Sequence, residues 1–126
     1  MSVKGVGTDI VAVARIKSAY ERQSSFAERI LTPHELEEMT EVRDPERFIA
    51  KRFAAKEACL KALGTGLAKG MSWQDITISH TKEGQPLIKL TGQAEIRAKD
   101  LQATQFHLSI SDETDFAVAF VIAEQA

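Results

Sequence analysis

Apolar and polar positions change period several times along the chain, and each change marks an element. Residues 3–13 are rich in β-branched side chains and predict a strand. Gly5 and Gly7 interrupt it, marking either a bulge or a close approach of another group to the backbone. Residues 15–22 switch to helical spacing, with Arg15, Ala19 and Arg22 on one face. Thr32-Pro33-His34-Glu35 reads as a helix start: Thr32 can cap, Pro33 suits the first turn and Glu35 completes a capping box. Asp44-Pro45 opens a long helix by the same logic, and Gly64 is a good stop.

On a helical wheel, residues 48–64 form one apolar arc of Phe48, Cys59, Leu63, Ile49, Leu60 and Phe53. Arg52 and Lys56 fall inside that arc, against ordinary amphipathic design. Glu57 lies at its edge, and the opposite face is mostly alanine (Ala54, Ala55, Ala58, Ala62), so another element can pack closely there. The second half is richer in strands: Trp73–Ser79 and Pro86–Leu90, with a turn at Lys82-Glu83-Gly84-Gln85. Gly92–Ala103 predicts a helix. Phe106–Ser111 alternates, with Phe106, Leu108 and Ile110 on one face and His107, Ser109 and Ser111 on the other. Asp112–Asp115 turns the chain into Phe116–Ala123, almost continuously apolar and expected to be a buried strand. The expected architecture is a single α+β domain over residues 1–126, a largely antiparallel sheet packed with a long central helix.

Composition narrows the picture little. The 126 residues suffice for one core, and a hydrophobic content of 44% is ordinary. Cys59 is the only cysteine, so no intrachain disulfide is possible, and its apolar setting reads as a buried, inert thiol. No apolar stretch is long enough to span a bilayer and no signal-like region opens the chain, so a cytoplasmic protein without membrane association is expected. A net charge of -2 disfavours nucleic acid as a partner. The charge is uneven: Arg15, Lys17, Arg22 and Arg29 make one stretch basic, and Glu35 to Glu46 makes the next acidic.

The candidate chemistry begins with two carboxylates, Asp9 in the apolar first strand and Glu57 in the densest charged cluster of the chain. A carboxylate among apolar neighbours costs free energy unless a cation or donor compensates it. Asp9 can be a strand-end acid bonded to amides or an arginine, and Glu57 an i,i+4 partner of Lys61. Together with the lysines and Gly64-Thr65-Gly66, they suggest a hard divalent cation beside a phosphate-bearing substrate. The glycines can equally be a helix cap and turn. They are not a Walker loop, because no Lys-Ser/Thr follows them. His107, Ser109 and Ser111 are either a solvent face or a polar wall of a ligand site. No metal-type His/Cys spacing favours zinc, and nothing like a nucleophile elbow supports a Ser109–His107–Asp112 triad. A non-catalytic nucleotide-binding module and a basic-helix interaction protein remain as alternative classes.

Five segments, Gly5-Val6-Gly7-Thr8-Asp9-Ile10, Arg15-Ile16, Phe26–Thr32, Arg52–Gly66 and His107-Leu108-Ser109-Ile110-Ser111, resemble in order and spacing the holo-[acyl-carrier-protein] synthases. These are small bacterial 4'-phosphopantetheinyl transferases. Many members carry histidine where this chain has Asp112, so that histidine's role does not transfer. The resemblance implies transfer of phosphopantetheine from coenzyme A to a serine of apo-acyl carrier protein in fatty-acid synthesis, with adenosine 3',5'-bisphosphate leaving. It implies Mg²⁺ on Asp9 and Glu57, and Lys61 facing the phosphates, with Glu57 and Lys61 as the catalytic pair. Arg52, Gly64, Thr65, Gly66 and His107 would help hold the coenzyme A nucleotide, and Arg15 and Arg22 would dock the carrier protein. It implies a homotrimer with active sites between subunits. The serine proton would pass to Glu57 or to a metal-bound water, and the sequence leaves both open.

Overall fold

The computed structural model describes residues 1–126. The chain runs β1 (Ser2–Ala12), α1 (Val13–Arg22), α2 (Ser25–Ile30), α3 (Pro33–Met39), α4 (Pro45–Ala62), β2 (Ile76–His80), β3 (Pro86–Leu90), α5 (Gly92–Asp100), β4 (Gln105–Asp112) and β5 (Phe116–Gln125). Three strands form one sheet in the order β1-β5-β4, and β2-β3 is a separate hairpin. Every pairing is antiparallel. The α+β architecture with a central long helix is therefore the one the patterning predicts.

α4 is central because two of its faces are buried. Ile49, Leu60 and Leu63 are fully enclosed on the apolar arc, each contributing about 1.5–3 kcal/mol. Ala54, Ala55 and Ala58 are equally buried on the small-residue face. That face receives β1. A Cβ on Gly7 would lie 1.9 Å from the Ala58 carbonyl oxygen, and one on Gly5 would lie 1.8 Å from that of Ala62. The two glycines thus let a strand backbone lie directly on a helix backbone. A register irregularity separates Val3 from Gly5 in the ladder with β5.

Helix ends follow local chemistry. Thr32 and Glu35 form the full capping box of α3, and Asp44 accepts the Arg47 N–H at the start of α4. α4 closes with Gly64 at φ 80°, the Gly64 N–H donating to Lys61 O and the Thr65 N–H to Leu60 O. This is the paired bonding of a left-handed glycine stop.

Three expectations need correction. The strand expected over Trp73–Ser79 runs instead from Ile76 to His80; Trp73–Asp75 is a short 3₁₀ turn, because the Ser72 hydroxyl accepts the Gln74 N–H. The helix expected to reach Ala103 ends at Asp100, where Gln102 adopts φ 63° and its N–H and that of Ala103 turn back to Lys99 O and Ala98 O. Finally, β5 is buried on one face only. Ala117, Ala119, Val121 and Ala123 face α4, while Phe116 and Phe120 are 49% and 43% exposed.

Candidate active site

Alternation along β1 puts Gly7, Asp9 and Val11 on the α4 side of the sheet. Because the Gly7 backbone lies on Ala58, Asp9 comes to rest beside the face of α4 that carries Lys61. The Lys61 ammonium donates to Asp9 Oδ1 at 3.1 Å and to the Thr8 carbonyl at 2.9 Å. Glu57 lies one turn back on the same helix. It makes no ion pair with Lys61; instead its Oε2 accepts the Trp73 indole N–H at 3.0 Å. The ordinary i,i+4 pairing is therefore not what Glu57 does.

Each acid has one oxygen engaged, Asp9 Oδ1 and Glu57 Oε2, and a second oxygen with no protein donor. The Asp9 side chain is 17% exposed and that of Lys61 53%, so the cluster opens to solvent. No three His, Cys, Asp or Glu side chains are grouped as a metal cage. Two carboxylates with free oxygens do fit a cation such as Mg²⁺, which takes few protein ligands and completes its octahedron with water and phosphate oxygens.

The glycine loop acts first as a helix stop. The N–H groups of Gly64, Thr65 and Gly66 all point back to carbonyls of Leu60 and Lys61, so they are not free to cradle a phosphate. The Thr65 hydroxyl donates to Gly66 O. Arg97, from α5, donates Nε–H to Leu63 O at 2.9 Å and fixes the same turn.

Arg52 stands apart from Asp9 and Lys61. It is 4% exposed, and its guanidinium bonds Glu35, Glu38 and the Ile78 carbonyl while lying 4.5 Å over the Phe48 ring. Its neighbour Lys56 is fully buried and donates to Glu35 Oε1 at 2.5 Å and to Ile30 O at 2.7 Å. Burial pushes the Lys56 ammonium below the usual lysine range, and Glu35 pulls it back. Arg52 also borders a cavity of about 250 Å³ shared with Arg47, Phe48, Lys51 and His80. His80 is held below the usual histidine range, by partial burial first and then by the Arg52 charge.

His107 lies on the sheet face away from α4, its Nε2 3.0 Å from Glu124 Oε1. The sheet separates it from Asp9, so one chain alone does not unite them. Asp112 pairs with Arg47 at 3.2 Å and with Lys51 at 3.8 Å. It therefore anchors the β4–β5 turn to α4. Arg15 and Arg22 are exposed on α1, and Arg22 borders a concavity with Ala19, Gln23, Phe26 and Arg29. Burial raises the Cys59 thiol to about 12, which removes it as a nucleophile.

Two contributors escape the sequence reading. Glu35 was legible as a cap only, although the buried charges of Arg52 and Lys56 demanded an acid somewhere. Trp73 opens a segment patterned as a strand, and nothing in its spacing points to Glu57.

A family model described as the 4'-phosphopantetheinyl transferase superfamily matches residues 5–121. The chain belongs to that superfamily. A holo-[acyl-carrier-protein] synthase of Vibrio cholerae is 52% identical over 124 residues, 98% of each chain. A crystal structure of the Neisseria meningitidis holo-[acyl-carrier-protein] synthase superposes with a TM-score of 0.91 at 41% identity, covering 98% of this chain and 100% of that one. The Helicobacter pylori synthase, solved in complex with coenzyme A, gives 0.82 at 36% identity, covering 94% and 99%. This transferase is thus an enzyme of the holo-[acyl-carrier-protein] synthase type, which removes the non-catalytic alternatives. No helix is long and apolar enough to cross a membrane.

Proposed function

We propose that this transferase moves the 4'-phosphopantetheine arm of coenzyme A onto a serine of apo-acyl carrier protein, releasing adenosine 3',5'-bisphosphate, in the cytoplasm and in the service of fatty-acid synthesis. The observation that carries the chemical reading is the Asp9–Lys61 pair with Glu57 one helical turn away, each acid keeping one oxygen free. Asp9 and Glu57 would hold Mg²⁺, which when bound neutralises charge on the diphosphate. Lys61, held by Asp9 and by the Thr8 carbonyl, presents its ammonium where phosphate charge develops during transfer. The reaction asks the protein for alignment and charge neutralisation, with no covalent enzyme intermediate. Glu57, beside the cation it would hold, is one of the two candidate acceptors of the serine proton. Gly64, Thr65 and Gly66 shape the adjoining wall for coenzyme A, with Lys61 supplying the charge.

Arg15 and Arg22 dock the acidic carrier protein, their exposed common face steering an acidic partner. A homotrimer with sites between subunits is favoured by the outer sheet face, where Val6 is 53%, Ile10 63% and Phe120 43% exposed. That face also carries His107, so a second copy would bring His107, with the nucleotide contacts expected of it, to a site that one chain leaves divided.

The deciding experiment is a mass assay of apo-carrier protein incubated with coenzyme A, Mg²⁺ and this chain. A gain of one phosphopantetheine unit, lost with EDTA, is expected; an unchanged carrier mass with Mg²⁺ present defeats the reading. Arg15→Glu or Arg22→Glu is expected to raise carrier-protein KM at low salt about five-fold, a loss of about 1 kcal/mol, and to spare that of coenzyme A.

A further inference from the structure

We propose that Trp73 is a positioning residue of the candidate metal site: its indole N–H fixes the Glu57 carboxylate so that Oε1 is the oxygen presented to the cation. The inference rests on the Mg²⁺ reading above. The Nε1–Oε2 distance is 3.0 Å, and the indole is a donor only, so the bond occupies Oε2 and selects one side-chain orientation. Outer partners of this kind orient metal-ligating side chains and tune their affinity.

Trp73 is itself held firmly. Its ring lies 5.7 Å from that of Phe53 on α4, tilted by 54°. The short turn that carries it is tethered on both sides. The Gln74 amide donates to the Glu28 and Leu31 carbonyls, and Asp75 O accepts the Thr91 N–H at 2.8 Å. Ser72 closes the turn by accepting the Gln74 N–H at 3.1 Å. The ring packing on Phe53 and the single indole bond to Glu57 Oε2 together fix where the N–H points.

Trp73 is the only tryptophan in the chain, so its emission reports on Glu57 without interference. Mg²⁺ titrated into the wild-type protein with coenzyme A is expected to change that emission saturably. Glu57→Ala is expected to abolish the response. Trp73→Phe keeps the ring and removes the donor. It is expected to raise the Mg²⁺ concentration for half-maximal rate about ten-fold, while the KM for coenzyme A at saturating Mg²⁺ stays put. An unchanged Mg²⁺ requirement in folded Trp73→Phe overturns the proposal. So does a flat wild-type emission through a titration that restores activity to EDTA-treated enzyme, or a response that survives in Glu57→Ala. The first two outcomes leave the metal reading standing, whereas the third also removes Glu57 from it. Transfer indifferent to EDTA removes the metal reading and this proposal with it. The wild-type titration decides the matter even where Trp73→Phe does not fold.

Discussion

α4 carries two charge clusters built from the same residue types, and they differ in one respect. Around Glu35, Arg52 and Lys56 every carboxylate oxygen is engaged: Oε1 by Lys56 and the Thr32 N–H, Oε2 by Arg52 and the Ile78 N–H. Around Asp9, Glu57 and Lys61 one oxygen of each acid is left over. The first cluster is sealed and joins α2, α3, α4 and β2. The second opens to solvent. A complete set of partners makes charge structural, and an incomplete set beside solvent makes it available to a ligand.

The sharpest way to break this comparison is to remove the central acid of each cluster. Glu35→Ala leaves the buried Lys56 ammonium without an acid, while Arg52 keeps Glu38, and is expected to cost about 3–5 kcal/mol in urea unfolding, whereas Glu57→Ala is expected to cost less than about 1 kcal/mol. Equal losses would erase the distinction. Next, Gly7→Ala forces a Cβ into the Ala58 carbonyl and is expected to cost about 3 kcal/mol, measured the same way. It damages the open cluster through its frame, so transfer falls together with stability. Asp9→Ala is the converse: about a hundred-fold loss of transfer, close to 2.7 kcal/mol of transition-state stabilisation, with the unfolding midpoint nearly unchanged.

The smallest expected effect tests the rim of the sealed cluster. Because the folded state holds His80 below its ordinary range, the unfolded chain takes up the proton first as pH falls. Stability is therefore expected to decline as pH drops through about 6.5 and to level off below the folded value. Urea midpoints at neutral and mildly acid pH, with His80→Gln removing part of the decline, check the sign.

Much of this was legible before any coordinates. The alanine face of α4 calls for a close neighbour, and Gly5 and Gly7 mark either a bulge or a close approach; only the structure shows that these are one contact. Arg52 and Lys56 inside an apolar arc stand out in the sequence, where long stems with heads snorkelling to water would explain them; in the structure both are buried to the charged end instead. Their partner was not legible, because Glu35 meets them only when α3 folds back on α4, and its local role as a cap already explained it. The segment around Trp73 misled for a related reason. Its aromatic and β-branched residues favour a strand, yet the Ser72 hydroxyl bends the first three residues into a turn. Of the proposed site, Asp9 and Lys61 could be named from sequence and are joined directly. The glycine loop could be named too, but its N–H groups face the helix it ends.

At Gly7 the strand meets the helix main chain against main chain. The gap between the acid-bearing strand and the acid-bearing helix is therefore set by atoms that all sequences share. Mutational drift in the surrounding core can soften or harden this protein, while the width of the opening between Asp9 and α4 stays the same.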